Sequence, residues 1–241
     1  METLLAPLRV MGEFEDIEKS LHQDGGIVSL SGCMESQKLH MVYGLSSKFR
    51  NRLIVTYSDL RVKELAEDEQ FYDRNVICYP SKDLIFYQAD IHGNQLVKER
   101  MKCLRRILEG KPVTVITTFS SLMAPQVPLE VFKEHVITID GKSQVEENRL
   151  AIQLVEMGYE KTAQVENPGQ FSIRGGIVDI FDLTEENPYR IELWGDEIES
   201  IRSFDVMSQR SVEKLSSVTI YPATEMILSA EQIKAGMDRI E

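Results

Sequence analysis

The sequence has 241 residues, of which 42% are hydrophobic and 27% are charged. This composition is ordinary for a globular protein, and the length suffices for one large domain or two small ones. No run approaches the roughly 20 apolar residues that cross a bilayer, and no basic region precedes the short apolar run at the N-terminus. We therefore expect no membrane segment, no signal peptide and a cytoplasmic location.

The net charge and the cysteine and histidine residues argue against nucleic-acid binding and against metal, disulfide and catalytic sites. There are 27 Lys and Arg residues against 39 Asp and Glu residues, a formal net charge of −12 at pH 7. Such a chain repels a polyanion on average, so the expected partner is another protein and not nucleic acid. The three cysteines (Cys33, Cys78 and Cys103) form no CxxC pair, and the four histidines are scattered. We predict no metal, no cofactor, no disulfide framework and no catalytic set.

The first half of the chain alternates short apolar runs with amphipathic stretches, which predicts an α/β unit with a parallel sheet. Ser58 or Asp59 is a suitable N-cap and Gly110 a suitable helix stop. The predicted strands cover residues 26–30, 52–57, 76–79 and 112–118. The predicted helices cover residues 34–49, 58–69 and 94–109.

The pattern changes after Pro125 and Pro128, where a strand over 132–139 and a helix over 144–157 are predicted. Four short alternating runs with turn signals between them then indicate an antiparallel meander. These runs are residues 171–174, 176–181, 189–194 and 198–204. Residues 218–221 are predicted to return to the first sheet. Residues 229–241 look like a helix without a stop, which indicates a piece of a longer protein.

The meander carries the most specific residue pattern of the chain. The runs NPGQFSIRGGIVDIF (167–181) and PYRIELWGDEIESIR (188–202), with SFD at 203–205 and SQRS at 208–211, resemble one family closely. They are similar to the N-terminal region of the bacterial transcription-repair coupling factors (Mfd), which is itself similar to the excinuclease protein UvrB. The resemblance extends over residues 26–225 and is strongest over 166–211.

The resemblance implies a degenerate P-loop (RecA-like) parallel-sheet domain with an inserted α+β domain that contains the meander. It implies a UvrB-like α/β domain over 1–128, an inserted domain over 129–211 that docks the excinuclease protein UvrA, and a return to the first domain over 212–241. It also implies that the parent is an ATP-dependent DNA translocase. RNA polymerase and DNA would then be partners only through parts of the parent that this chain lacks.

A working P-loop, G-x-x-x-x-G-K-[ST], holds phosphates with backbone N–H groups and a lysine, and Mg²⁺ with a hydroxyl. The matching stretch keeps Gly32 but has lost the second glycine, the lysine and the hydroxyl residue. The residues at those positions are Ser36, Gln37 and Lys38. Glu35 adds a carboxylate beside the phosphate position, which is repulsive. The pattern predicts a loop that is kept for packing and does not bind ATP.

UvrB has a long aromatic β-hairpin that tests DNA for damage, and the corresponding stretch here, residues 79–90, runs into a helix almost at once. Its aromatic residues are expected to be buried against the core and not to stack on bases. The basic stretch 98–106 is expected to be the solvated face of a helix. Damage recognition by this chain is therefore not expected.

The candidate docking face lies on the meander. Alternation places Arg190, Glu192 and Trp194 on one face of their strand, and Arg174 can join them from the preceding strand pair. Trp and Arg are enriched among interface hot spots, and the resemblance implies that these positions contact UvrA. The alternative is that both arginines pair with Glu192 and neighbouring acids while Trp194 is half-buried.

The leading hypothesis is an adaptor that binds UvrA, so that RNA polymerase stalled at a lesion recruits the excision machinery. The alternative is an ATP-dependent DNA-binding motor domain with residual nucleotide binding. A third possibility is that the segment covers another domain of its own full-length chain until activation. The sequence does not separate the third possibility from the first, because one face can serve both roles in turn.

Overall fold

The computed structural model describes residues 2–23, 26–82, 92–227 and 236–239. The chain divides into two compact units. Unit 1 comprises residues 1–82 and 109–124, and unit 2 comprises residues 83–108 and 125–241. Among the helices that are described, none is both long enough and apolar enough to cross a membrane.

Unit 1 contains a parallel three-stranded sheet. The strands are β1 (Asn51–Thr56), β2 (Val76–Tyr79) and β3 (Val113–Thr118). They lie in the order β1-β3-β2, and β3 is buried along its whole length. The helices are α1 (Glu2–Arg9), α2 (Phe14–Leu21), α3 (Glu35–Ser46), α4 (Asp59–Glu69) and α6 (Phe119–Met123). The prediction of a parallel sheet is confirmed.

The start of α4 shows how local sequence sets an element boundary in unit 1. The Ser58 hydroxyl accepts a hydrogen bond from the Arg61 N–H and so caps the helix. The helix then packs Val62, Leu65 and Ala66 against Ile116 of the central strand. The predicted cap and the predicted helix are both confirmed.

One predicted strand of unit 1 is wrong. Residues 26–30 form no strand and pair with none of the described strands. Ile27 is exposed, whereas Leu30 packs against a small cluster of helix residues that includes Leu8, Phe14 and Met41. Leu30 of this apolar run therefore packs against helices, and the run does not pair in the sheet.

Unit 2 is built on a six-stranded sheet of order β10-β9-β8-β7-β6-β5. Its strands are β5 (Glu160–Lys161), β6 (Gln170–Arg174), β7 (Ile177–Ile180), β8 (Tyr189–Trp194), β9 (Glu197–Phe204) and β10 (Ser211–Lys214). All neighbouring pairs are antiparallel except β5 and β6. The prediction of an antiparallel meander is confirmed.

One face of this sheet forms the core of unit 2. Helix α8 (Glu147–Glu156) packs Leu150 and Leu154 against buried side chains of the sheet such as Val178 and Ile191. A two-stranded antiparallel ribbon of β4 (Ile137–Asp140) and β11 (Ser217–Ile220) contributes to the same core. The opposite face of the sheet is therefore free to carry polar residues.

Two further predictions for unit 2 are wrong. The last strand does not return to the first sheet, because β11 pairs with β4. The predicted strand over 132–139 is split into helix α7 (Leu129–Glu134) and β4, since Phe132 packs against Met101 and Leu104 of helix α5 (His92–Leu108).

The division at 1–128, 129–211 and 212–241 stays a prediction. The predictions for residues 83–90 and most of those for 229–241 lie outside the described residues.

Candidate protein-docking site

The polar face of the six-stranded sheet carries the residues that the sequence singled out. Along β8 the exposure alternates, with Tyr189, Ile191 and Leu193 buried in the core. Their neighbours Arg190, Glu192 and Trp194 consequently lie on the opposite face, as predicted. Arg174 on β6 lies on this face too, because the register aligns it with Ile177 and then with Glu192.

The two arginines meet at one buried carboxylate, Asp179. Arg190 donates from Nε and Nη2 to the two carboxylate oxygens at 2.7 and 2.8 Å, and Arg174 donates from Nη2 at 3.2 Å. The Asp179 side chain is 1% exposed, whereas that of Arg174 is 49% exposed. The Asp179 carboxylate therefore holds the Arg190 guanidinium through two hydrogen bonds and orients that of Arg174 through one. The half-exposed Arg174 side chain keeps further N–H donors for a partner.

Arg190 is held from two further directions. Its Nη2 also donates to Oε1 of Gln209 at 2.9 Å, and its guanidinium lies 4.2 Å from the ring centroid of Phe204. The hydrogen bonds to Asp179 raise the pKa of Arg190 above its usual range. Arg190 is thus a fixed cation with little rotamer freedom left to lose when a partner binds.

Glu192 pairs with neither Arg174 nor Arg190. Its carboxylate accepts hydrogen bonds from the Ser200 hydroxyl at 2.6 Å and from the Arg202 guanidinium on β9. The alternative was that both arginines pair with Glu192 and neighbouring acids. Its Glu192 part is wrong, whereas the pairing with a neighbouring acid is confirmed for both arginines by Asp179. Glu192 and Arg202 remain partly exposed and form a second ion pair on the same face.

Trp194 is the most prominent apolar group on this face. It is 81% exposed, so the alternative of a half-buried side chain is wrong. It lies on the same face as Arg190 at a distance of about 13 Å along the strand, given a rise of about 3.3 Å per residue. A large exposed aromatic side chain on the same sheet face as two arginines is the composition of an interface hot spot.

Sequence reasoning missed Asp179, Gln209, Phe204 and Arg202 as parts of this face. The sequence carries a signal for Asp179, because it lies between the apolar residues Val178 and Ile180 and must point away from the core. The other three depend on the register of β8 with β9 and on the loop after β9. Gln209 there has a positive φ of 57°.

In unit 1, side chains of residues 32–38, the stretch that the sequence compares with a P-loop, bond to this stretch itself and to Arg61. Gln37 Oε1 accepts from the Met34 N–H at 3.0 Å and caps the start of α3. Lys38 donates to Glu35 at 2.8 Å, and Arg61 donates to Glu35 at 2.5 Å. The hydrogen bond from Lys38 lowers the pKa of the Glu35 carboxyl, whose negative charge is held between Lys38 and Arg61. None of the described strands leads into the loop at Gly32 and Ser36, unlike the strand-to-helix turn of a working P-loop.

Comparison with known proteins identifies the relationship. The UvrB interaction domain family matches residues 137–226, which include β4 and the whole candidate face. Over these residues the chain is similar to the UvrB interaction domain family. The predicted relationship to transcription-repair coupling factor is confirmed as well, because relatives of that name align with nearly the entire chain.

The transcription-repair-coupling factor of Bacillus subtilis (strain 168) is 32% identical over 244 residues, covering 100% of this chain and 21% of the relative. Those of Staphylococcus aureus strains Mu50 and MRSA252 are each 30% identical and cover 97% of this chain and 20% of the relative. The chain thus spans about a fifth of the length of the curated relatives it matches.

Proposed function

We propose that this chain is a non-catalytic docking module that binds UvrA and so links stalled RNA polymerase to nucleotide excision repair. The observation that carries the proposal is the exposed Trp194 on the same sheet face as Arg174 and Arg190, within residues that match the UvrB interaction domain. Arg174, Arg190, Glu192 and Trp194 are the proposed contact residues. Other domains of the full-length chain are proposed to compete for the same face.

The chemistry of the face supports binding to a protein. Trp194 offers a large apolar anchor, and Arg174 offers guanidinium donors that are not consumed by Asp179. Because Asp179, Gln209 and Phe204 already hold Arg190, binding loses little side-chain entropy there. These features favour a pre-formed interface over a catalytic site.

Replacing Trp194 by alanine is expected to weaken binding to purified UvrA by about 2 kcal/mol or more, roughly thirtyfold in Kd. The side chain is exposed, so the fold is expected to survive, as thermal unfolding will check. Isothermal calorimetry with the native chain and the variant measures the effect. Tyr57→Ala is the matched control, because Tyr57 is an exposed aromatic residue of unit 1 outside the proposed face.

Two results would contradict the docking proposal. One is a native chain that does not bind UvrA under conditions in which UvrB does. The other is a Trp194→Ala variant that binds as tightly as the Tyr57→Ala control.

We further propose that unit 1 is the remnant of a RecA-like nucleotide-binding domain. The parallel sheet and the position of Gly32 before helix α3 support this origin, whereas none of the described strands leads into the loop. The Glu35 ion pairs support the loss of function. A translocase activity is proposed only for the longer parent protein.

A fluorescent ATP analogue is expected to show no saturable binding to this chain, because the second glycine and the lysine of a P-loop are absent and Glu35 already holds Lys38 and Arg61 in ion pairs. UvrB, which has an intact loop, is the positive control in the same titration. Saturable binding that is lost in Lys38→Ala would favour the alternative of a motor domain with residual nucleotide affinity.

A further inference from the structure

A groove of about 460 Å³ lies in unit 2 between strand β4 and helix α8. Ile137, Thr138 and Ile139 of β4 line one wall, and Arg149 and Gln153 of α8 line the other. This volume is within the range of about 300–1,000 Å³ that is typical of ligand sites. The groove is therefore large enough to hold a short stretch of another chain.

Within the described part of the chain, the edge of β4 that faces away from β11 is open at Thr138. The Asp140 N–H donates to Ser143 Oγ at 3.0 Å, and its C=O accepts from the Ser143 N–H at 3.0 Å, so these groups are not used toward β11. Because directions alternate along a strand, the N–H and C=O of Thr138 also point away from β11. The close approach of the Thr138 and Thr219 hydroxyls, 3.3 Å, is the contact expected of such a pair.

The open edge borders the groove. Residues of β4 line the groove, whereas residues of β11 do not. Within the described part of the chain, β4 pairs with β11 alone. The main-chain N–H and C=O of Thr138 are thus available to a chain that enters the groove.

The groove is continuous with the end of the sheet that carries Trp194. Asp196, two residues beyond Trp194, lines the groove, and its C=O accepts from the Val145 N–H at 2.8 Å. Glu147 at the start of α8 accepts from the Gly176 N–H at 3.0 Å, in the turn that follows Arg174. Hydrogen bonds therefore connect α8 and the segment that precedes it to the turns that follow Arg174 and Trp194.

We propose that an extended peptide segment of the protein docked on Trp194 adds to the free edge of β4 inside this groove. The N–H and C=O of Thr138 bind the C=O and N–H of one residue of that segment, and α8 covers its side chains. Main-chain pairing at a sheet edge is an established mode of peptide recognition. The identity of the partner, UvrA, rests on the proposed function.

A proline at position 138 tests the proposal, because it removes the N–H that the segment needs while the ladder with β11 uses other residues. Thr138→Val is the reference variant, since it loses the same hydroxyl and keeps the N–H. We expect Thr138→Pro to bind UvrA about five- to tenfold more weakly than Thr138→Val in calorimetry. Thermal unfolding of both variants checks the fold.

The possible outcomes separate the two proposals. If Trp194→Ala weakens binding and Thr138→Pro binds like Thr138→Val, the docking proposal stands and the groove proposal is overturned. If the native chain does not bind UvrA, both are overturned. A concentration-dependent dimer in sedimentation that Thr138→Pro dissolves would show a second copy of this chain in the groove, and would also overturn the proposal.

A second measurement applies if the proline variant fails to fold. A photocrosslinking amino acid at Gln153, which lines the groove, is expected to label one short segment of UvrA. The same group at Glu156, which is exposed on α8 and does not line the groove, is the control. Equal labelling from both positions, or none from Gln153, would overturn the proposal.

Discussion

Replacing Arg190 by alanine is expected to lower the free energy of unfolding by about 3–5 kcal/mol, the usual cost of removing one partner of a buried ion pair. Asp179 is 1% exposed and receives two of its three arginine hydrogen bonds from Arg190. Without Arg190 its charge stays buried with only the longer contact from Arg174. Urea denaturation followed by circular dichroism measures the loss.

Arg174→Ala is the matched comparison. Its side chain is half-exposed and Asp179 keeps Arg190, so we expect a change of at most about 1 kcal/mol. The double variant Arg190→Ala/Asp179→Ala is expected to recover part of the loss, because no buried charge is then left unpaired. Equal stability of Arg190→Ala and Arg174→Ala would show that Asp179 does not depend on Arg190.

This prediction affects how the docking face is tested. A binding defect in a variant that lacks Arg190 combines a lost contact with a destabilised sheet. Trp194 is exposed, and none of the contacts described for the fold depends on its side chain. The variant that separates binding from folding is therefore Trp194→Ala.

The second large effect is expected from Glu69 in unit 1, which is fully buried at the end of α4. Burial raises the pKa of this carboxyl from 4.5 to about 7, although Arg52 at 3.8 Å opposes the shift. Both carboxyl oxygens lack a hydrogen-bond partner among the described residues, and Arg52 makes its close ion pair with Asp73 instead. Ionised Glu69 is therefore poorly compensated.

Glu69→Gln is expected to raise the free energy of unfolding by about 2–3 kcal/mol at pH 8 and to have little effect near pH 4.5. The folded-state pKa lies above the unfolded value. Folding therefore favours the protonated carboxyl, and stability falls as the pH rises from about 4.5 through 7. Glutamine stays neutral and avoids this loss.

Urea denaturation at several pH values measures this effect, with Glu67→Gln on the exposed side of the same helix as the control. A stability difference between Glu69→Gln and the native chain that does not grow with pH would contradict the prediction. In that case Arg52 would be holding Glu69 ionised throughout.

The sequence by itself determined the local features of this protein. The parallel strands over residues 51–56, 76–79 and 113–118, the Ser58 cap and the meander follow from apolar periodicity and turn residues, and the structure confirms them. Alternation along β8 placed Trp194 on the polar face without knowledge of its neighbours. The residues Ser36 and Gln37 predict a loop without the phosphate chemistry of a P-loop, and this stays a prediction.

The tertiary structure alone decided what depends on residues far apart in the chain. The pairing of β11 with β4, the failure of residues 26–30 to join a sheet and the place of Phe132 in a helix all depend on non-local packing. Strand register then places Asp179 opposite Arg190, and it places Glu192 within reach of Arg202. Hydrophobic pattern sets which face a residue occupies, but only register sets which partner it meets across the sheet.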